Sequence, residues 1–320
     1  MAFSLPDHWV WDFWLADDGA DYHLFYLHAP KSLGNPDLRH RNARIGHATS
    51  GDLVNWYNHG RILDTGVAGS FDDTATWTGS VVRGADGLWR LYYTGSRFLS
   101  PGSNANVETV GIAVSEDLYS WRKLPGPVSA ADPQHYETLG TSSWPEEAWR
   151  DPWVFADTAG KWHMLITARA NHGPDAERGV IGHAVSNDMV TWQAQPPLSA
   201  VNGGFAHLEV PQIVTVEGTL HLLFCCDGPR LSGRLAGQQG GVWSVAIPSP
   251  LGPFPVERAT LLVPQELYAG RIATDRSDRA VLLAFNNVQS GDTFAGSISD
   301  PLPVRVGRHA DGTPMLELEA

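Results

Sequence analysis

Hydrophobic and polar residues alternate in short runs along the chain, and one kind of run recurs five times. The copies are Tyr22–Leu27, Leu88–Thr94, Lys161–Thr167, Thr219–Cys225 and Arg279–Phe285. Alternation rich in aromatic and β-branched side chains is typical of β-strands. Because no segment shows the long 3.6-residue stripe of an amphipathic helix, the pattern predicts an all-β protein built from a repeated unit.

A second repeated segment gives the period of that unit. Arg44–Trp56, Val110–Trp121 and Ile181–Trp192 each read as an apolar strand, a Ser-x-Asp turn and a tryptophan that begins the next strand. The tryptophans are spaced by about 65 to 70 residues. Five copies of a unit with four short strands predict one five-bladed β-propeller over residues 1–320. The competing architecture, a β-sandwich, is disfavoured by this period.

Charge and composition narrow the class of ligand. The formal net charge is −13, and an acidic surface argues against binding to nucleic acid or to anionic membranes. No apolar run reaches the roughly 18 residues of a membrane span, and the first residues lack the features of a signal peptide. We therefore expect a protein of the cytoplasm with a small, neutral or cationic ligand.

The cysteines and histidines give no sign of a metal site. Cys225 and Cys226 are adjacent, so on a strand they point to opposite faces and are expected to fill space in the interior. The 13 histidines show no metal-binding spacing. We expect neither a metal nor a cofactor.

Three acids stand in unusually apolar surroundings. Asp12 lies among the tryptophans of the segment Trp9–Trp14, Asp151 follows Arg150, and Glu209 lies in an apolar strand. A carboxyl buried without a partner is costly, which favours function over a turn residue or a structural ion pair. For Glu209 the apolar strand predicts a raised pKa, as a general acid needs.

The three acids share a position in the repeat. Asp12, the segment Trp77–Ser80, Asp151 and Glu209 each lie one hairpin before a copy of the recurring strand. In a propeller such positions converge at one end of the central channel. Three carboxyls suit glycoside cleavage, in which one attacks the anomeric carbon, one donates a proton and a third holds hydroxyls. Trp77 could offer a stacking face and Ser80 a hydroxyl.

These motifs resemble those of glycoside hydrolase families 32 and 68, the invertase and levansucrase families, and they occur in the family order. The matching segments are Val10-Trp11-Asp12-x-Trp14, Trp77-Thr78-Gly79-Ser80, Arg150-Asp151-Pro152 and Glu209-Val210-Pro211. The resemblance implies a retaining glycosidase of β-fructofuranosides, with possible fructosyl transfer. It makes Asp12 the nucleophile, Asp151 the transition-state stabiliser and Glu209 the acid/base. The substrate-binding residues that it implies are Trp11, Trp14, Trp77, Ser80 and Arg150.

The sequence also departs from these families. Trp11 and Phe13 replace an Asn and a Pro of invertases, and Val210 replaces an Arg of levansucrases. After the fifth blade no room is left for the C-terminal β-sandwich of invertases, so we expect one catalytic domain.

Three alternatives stay open at this point. One is an inverting arabinofuranosidase or xylosidase of family 43, and another is a non-catalytic sugar-binding propeller. A phosphorylase of the family 130 type would need a basic cluster. Arg39, Arg41 and Arg44 lie close together, but their segment is more typical of a solvated loop.

Overall fold

The computed structural model describes residues 2–289 and 293–319, and these residues form a five-bladed β-propeller. Blade 1 consists of β1 (His8–Asp17), β2 (Tyr22–Pro30), β3 (Arg44–Ser50) and β4 (Tyr57–Leu63). Blade 2 consists of β5 (Ala75–Arg83), β6 (Trp89–Phe98), β7 (Asn106–Ser115) and β8 (Arg122–Lys123), and β9 (Glu146–Glu147) pairs with β7 in parallel. Blade 3 consists of β10 (Trp149–Ala156), β11 (Trp162–Arg169), β12 (Gly179–Ser186) and β13 (Gln193–Gln195).

The last two blades follow the same antiparallel order. Blade 4 consists of β14 (Glu209–Val216), β15 (Thr219–Cys226), β16 (Gly241–Ala246) and β17 (Thr260–Pro264). Blade 5 consists of β18 (Leu267–Thr274), β19 (Ala280–Gln289), β20 (Thr293–Ile298), β21 (Leu302–Arg308) and β22 (Pro314–Leu318). Short 3₁₀ helices span Lys31–Leu33, Pro36–Asn42, Asp175–Glu177, Gly228–Arg230, Gly233–Leu235 and Val256–Arg258.

The first strand of each blade lines the centre of the ring. Strand β1 contacts β5, β5 contacts β10, β10 contacts β14, β14 contacts β18, and β18 contacts β1 again. At the circumference, a backbone bridge joins Phe3 to Ile298 of β20. The ring is therefore closed, and the edges of its inner strands face one another.

The repeats seen in the sequence correspond to defined strands. The five recurring runs are the second strands, β2, β6, β11, β15 and β19, whose side chains are largely buried. After β3, Ser50 donates to Asp52, and Asp52 accepts from the backbone N–H of Val54 and of Asn55. Equivalent Ser-x-Asp turns follow β7 and β12. The predicted fold class and turns are confirmed.

All five inner strands carry a β-bulge at the same level. The register shifts fall between Trp11 and Phe13 in β1, Trp77 and Gly79 in β5, Arg150 and Trp153 in β10, Glu209 and Gln212 in β14, and Tyr268 and Arg271 in β18. A bulge bends a strand and re-aims its side chains. Three residues within these bulges have a positive φ, namely Asp151, Val210 and Ala269.

Gly79 shows why one bulge needs glycine. A Cβ atom at this position would collide with the carbonyl oxygen of Tyr92 on the neighbouring strand. Only a residue without a side chain allows this close approach. The glycine therefore lets β5 turn Thr78 toward the centre of the ring.

The two cysteines are free and buried, and they pack into different hydrophobic clusters on the two faces of β15. This confirms their predicted role in the interior. Across residues 2–289 and 293–319, no helix has the length and apolar character needed to cross a bilayer. The predicted single-domain organisation without a β-sandwich stays a prediction.

Candidate active site

The bulges open into a cavity of about 320 Å³ at one end of the inner strands. The three acids singled out from the sequence, Asp12, Asp151 and Glu209, all line this cavity. They come from blades 1, 3 and 4. The cavity volume is at the lower end of the range for small-molecule sites. Chain segments separated by up to about 200 residues thus meet in one place.

Among the described residues, Asp12 has one side-chain hydrogen bond, which comes from Thr78. Thr78 Oγ1 donates to Asp12 Oδ2 at 2.5 Å. Burial and the negative charge of Asp151 raise the pKa of Asp12 to about 7, although the bond from Thr78 and the charge of Arg39 work against this rise. Burial disfavours the ionised form of a carboxyl, and a like charge nearby adds to the effect.

Asp151 is more firmly fixed. Its Oδ2 accepts from Thr167 Oγ1 at 2.8 Å and from the backbone N–H of Val210 at 3.2 Å. Its own backbone N–H donates to Thr94 Oγ1 at 2.9 Å. Burial raises the pKa of Asp151, and the adjacent guanidinium of Arg150 opposes that rise. The residue is thus anchored by strands of three blades.

Glu209 has a different environment. Arg150 Nη2 donates to its Oε1 at 2.9 Å, and the Tyr268 hydroxyl donates to its Oε2 at 2.7 Å. His207 Nε2 lies 3.4 Å from the same Oε2. Burial alone would raise the pKa of Glu209, but His207, Arg150 and Tyr268 lower it to about 2.

The expectation of a raised pKa for Glu209 is therefore wrong. Leu208 and Val210 beside it along the chain are apolar, but His207 lies two residues before it. Its other two partners in space come from β10 and β18. Opposite charge and hydrogen bonds to the ionised form outweigh burial here. The sequence around Glu209 does not show its contacts with Arg150 and Tyr268, which lie in other blades.

Arg150 connects the acids of the cavity. Besides Glu209, its guanidinium bonds Glu108 Oε2 at 2.9 Å, and it lies 3.4 Å from Glu146 Oε2 and 3.6 Å from Asp151 Oδ2. Burial raises the pKa of Glu108 to about 8 despite this contact. One buried guanidinium thus balances several carboxyls, and removing it would leave them uncompensated.

The structure refines the shared position of the acids. Asp12, Thr78 and Asp151 occupy the bulge itself, whereas Glu209 stands one residue earlier, level with Arg150. Successive residues of a strand point to different sides. The offset therefore places Glu209 on another wall of the cavity than Asp12 and Asp151.

Two predicted substrate contacts are corrected. Trp14 is fully buried and stacks on Phe25 at 6.1 Å between ring centroids, so its ring cannot reach a ligand. Ser80 is buried too, and its Oγ accepts from the backbone N–H of Val154 at 3.2 Å. Both residues lie beyond the bulge, where β1 and β5 have resumed regular pairing. They support the fold and do not line the cavity.

The other three predicted contacts, Trp11, Trp77 and Arg150, do line the cavity. Trp77 is held by a hydrogen bond from its Nε1 to the His40 carbonyl at 2.8 Å. Their roles toward a substrate stay predictions.

Arg39 also belongs to the cavity, which the sequence alone did not indicate. Its side chain is only 13% exposed, and its guanidinium lies 5.8 Å from the Trp11 ring and 4.1 Å from the Phe294 ring. The interpretation of its segment as a solvated loop is wrong for this residue. The basic run that contains Arg39 follows the hairpin that includes Asp12. This closeness along the chain is the signal that could have indicated Arg39.

Other lining residues were missed because they carry no motif. Tyr268 occupies in β18 the position that Glu209 occupies in β14, so aligning all five repeats could have found it. Glu108 reaches the cavity from the beginning of β7, and Asp227 reaches it from the loop directly after β15.

One group of side chains could hold a metal ion among the described residues. Ligand atoms of His207, Cys226 and Asp227 lie within 4.8 Å of one another. His207 Nε2 already lies 3.2 Å from Asp227 Oδ1, an ordinary hydrogen-bond distance. The expected absence of a metal or cofactor stays a prediction.

Sequence comparison places the chain in a family. The profile of the glycosyl hydrolases family 32 N-terminal domain matches residues 14–292. The chain belongs to this family. Its curated relatives include a fructan 6-exohydrolase of Beta vulgaris, 28% identical over 57% of this chain and 28% of that protein. Another is the β-fructofuranosidase insoluble isoenzyme CWINV6 of Arabidopsis thaliana, 30% identical over 64% of this chain and 36% of that protein. The chain thus spans about a third of the length of these relatives.

Solved structures of family 32 and family 68 proteins share the fold. An inulosucrase from Halalkalicoccus jeotgali bound to kestose superimposes with a TM-score of 0.78 at 21% identity, covering 99% of this chain and 89% of that one. Levansucrase of Bacillus subtilis gives a TM-score of 0.74 at 16% identity, covering 99% and 88%. At this level of identity the comparison shows that this chain shares the architecture of these proteins. The activity of this chain depends on its own site.

Proposed function

We propose that this family 32 protein is a retaining glycosidase that transfers the fructosyl unit of β-fructofuranosides to water or to a second sugar. The observation that carries the proposal is the meeting of Asp12, Asp151 and Glu209 in one cavity. Relatives named as a fructan exohydrolase and a β-fructofuranosidase support this choice of substrate.

In this proposal Asp12 is the nucleophile and Glu209 the acid/base. An Oδ of Asp12 bonds to the anomeric carbon while the glycosidic C–O bond breaks, and the leaving oxygen takes a proton from Glu209. Water or a sugar hydroxyl then attacks the covalent intermediate and returns a proton to Glu209 as Asp12 leaves. Asp12 is suited to the first role because, within the part of the chain that the structure describes, one hydrogen bond restrains its carboxyl.

The proton for the leaving group comes from the pair of His207 and Glu209. Burial lowers the pKa of His207, but Glu209, Cys226 and Asp227 outweigh burial and raise it well above the usual value. These directions favour the proton on His207, whose Nε2 lies 3.4 Å from Glu209 Oε2, in the free protein of this proposal. As the leaving oxygen gains charge, Glu209 passes this proton on. Two interacting groups that share a proton titrate as a pair.

Asp151 and Arg150 position the sugar. Asp151 is held in a strained backbone conformation by Thr167 and Val210, and its free lone pairs can accept two ring hydroxyls. Its negative charge also stabilises an oxocarbenium-like transition state. Arg150 keeps this carboxyl and Glu209 in place.

The charge of the cavity favours a sugar without phosphate. Six lining residues are carboxylic acids and two are arginines, and both arginines already contact acids of the chain. The acids are Asp12, Glu108, Glu146, Asp151, Glu209 and Asp227. A phosphate brought here would meet an excess of like charge, because six carboxylic acids face two guanidinium groups.

The test is product release from sucrose, a short inulin and a nitrophenyl α-L-arabinofuranoside, followed by chromatography. We expect fructose or fructosyl oligosaccharides from the first two. Asp12→Asn should lower this rate by about 10⁴-fold or more. The matched control is Asp17→Asn at the far end of β1, where the carboxylate pairs with Arg276 at the surface.

Arabinose as the only product, or an Asp12→Asn variant as active as the parent protein, would overturn the proposal. Sugar binding without any turnover would point to a non-catalytic propeller.

A further inference from the structure

A second groove of about 420 Å³ adjoins the cavity on the side of blades 1 and 2. The two spaces share three lining residues, His40, Trp77 and Glu146. The outer wall of the groove comes from the 3₁₀ helix Pro36–Asn42 and from the ends of β6 and β7. The groove is therefore a continuation of the cavity toward the surface.

Aromatic rings and amide groups line this groove. The rings of Trp77 and Phe98 lie 6.0 Å apart at 76°, and the Arg41 guanidinium covers Phe98 at 4.1 Å. Asn104 and Asn106 add amide groups. Apolar ring surface beside a guanidinium and amide groups suits a carbohydrate, which presents C–H groups and hydroxyls.

Asn106 carries an unused hydrogen-bonding atom at this place. The residue is 1% exposed, and its Nδ2 donates to the Asn104 carbonyl at 3.0 Å. Its Oδ1 has no partner among the described residues. A buried acceptor left unpaired costs free energy, and a hydroxyl group of a ligand in the groove would satisfy it.

Hydrogen bonds within the chain hold the outer wall of the groove. Asn35 Oδ1 accepts from the backbone N–H of Asp37 and caps the 3₁₀ helix, while Asn42 Nδ2 donates to the Leu38 carbonyl. Arg41 Nη2 donates to the carbonyls of Ser100 and Ser103, which ties the helix to the loop after β6. A preformed groove lowers the entropic cost of binding.

We propose that this groove binds further sugar units of an oligosaccharide whose reacting unit occupies the cavity. The inference rests on the proposed function and deepens it, since it names oligosaccharides longer than a disaccharide as the preferred substrate class. Trp77 and Glu146 lie at the junction of the two spaces. Phe98 and Asn106 contact only the added units.

The test compares kcat/KM for sucrose with kcat/KM for fructosyl tri-, tetra- and pentasaccharides. In the parent protein kcat/KM should rise with chain length. Phe98→Ala should remove about 3- to 10-fold of kcat/KM on the tetrasaccharide, the range expected for one aromatic contact, and leave sucrose within about two-fold. Leu99→Ala is the matched control, because Leu99 is an exposed neighbour outside the groove.

Asn106→Ala provides a second variant if Phe98→Ala is unstable in thermal unfolding. In the inactive Asp12→Asn protein, Asn106→Ala should weaken binding of the tetrasaccharide, measured by calorimetry. In the otherwise parental protein, the same substitution should leave turnover of sucrose unchanged.

The possible failures are distinguishable. Sucrose turnover with no chain-length dependence, or an equal loss on all substrates in Phe98→Ala, would overturn the groove proposal alone. No fructose from any substrate would instead overturn the proposed function.

Discussion

Two carboxyls of the same cavity, Asp12 and Glu209, have opposite environments. Asp12 accepts one hydrogen bond from a neutral hydroxyl and has a pKa raised to about 7, chiefly by burial. Glu209 contacts Arg150, Tyr268 and His207, and its pKa is lowered to about 2 in spite of burial. The difference comes from which groups the neighbouring blades supply, since both acids stand beside a bulge of an inner strand.

This contrast bears on how the site would begin its reaction. In the proposed reaction the nucleophile Asp12 holds a proton in mildly acidic solution, whereas the acid/base Glu209 is ionised and draws its proton from His207. Asp12 must ionise before it attacks, so its pKa sets the pH at which the proposed reaction starts. Pairs of groups whose pKa values are pushed apart are typical of active sites.

After Asp12→Asn, the largest effect is expected for Glu209→Gln, because in the proposed reaction only Glu209 supplies a proton to the leaving group. Glu209→Gln should lower kcat on sucrose by about 10²- to 10⁴-fold, because an alkoxide leaves poorly without a proton. With fructosyl fluoride, which needs no proton, the first step should proceed at nearly the parental rate. Burst kinetics of fluoride release measure this. An equal loss on both substrates would show that Glu209 is not the acid.

The pH dependence is the next sharpest test. Because Asp12 must be ionised, kcat/KM should fall about tenfold per pH unit below pH about 7. Thr78→Val removes a bond that favours the ionised form, so the acidic limb should move to higher pH. Thr76→Val is the matched control, because the buried Thr76 hydroxyl on the same strand has no partner among the described residues. A limb that stays in place in Thr78→Val would contradict the assignment to Asp12.

A stability measurement probes the same carboxyl without substrate. The pKa of Asp12 is raised on folding, so its favourable contribution is full below pH about 4 and is lost as the pH rises through about 7. Asp12→Asn should therefore be more stable than the parent at pH 8, by about 2–4 kcal/mol, and show no such gain near pH 4. Urea unfolding at the two pH values gives the comparison.

Asp17→Asn should behave in the opposite way. Arg276 and backbone N–H groups lower the pKa of Asp17 although partial burial opposes them, so its ionised form stabilises the fold and the variant should lose a little stability at pH 8. The same gain at pH 8 in both variants would contradict the role given to burial at Asp12.

The smallest effect is expected at Ser80, two residues beyond Thr78 on β5. Ser80→Ala removes the acceptor of the buried Val154 N–H and should cost about 1–2 kcal/mol of unfolding free energy. The KM for sucrose should not change, because the hydroxyl does not line the cavity. An increase in KM at unchanged stability would restore its predicted contact with substrate.

The sequence was sufficient to predict the fold and the meeting of the three acids in one place, because both follow from the repeated unit. Recurring strands and Ser-x-Asp turns define the blades. Equivalent positions in the repeat bring Asp12 and Asp151 into the bulges and Glu209 one residue before its bulge. Trp14 and Ser80 were misassigned because a bulge changes which side chains face the cavity, and no sequence pattern showed where each bulge lies. The cytoplasmic location stays a prediction.

The electrostatics could not be predicted in the same way. Two of the three partners of Glu209, Arg150 and Tyr268, lie on strands 59 residues away in either direction along the chain. Arg39 reaches Trp11 and Phe294 through the packing of its 3₁₀ helix. Such contacts depend on the closure of the ring, and the sequence of one strand does not show them.

The most direct measurement is mass spectrometry of Glu209→Gln quenched during turnover of fructosyl fluoride. In this variant the covalent intermediate should form readily and decay slowly, because no base activates water. We expect a fructosyl adduct on the peptide that contains Asp12. An adduct on another residue, or continued turnover with no adduct and with inverted product, would contradict it.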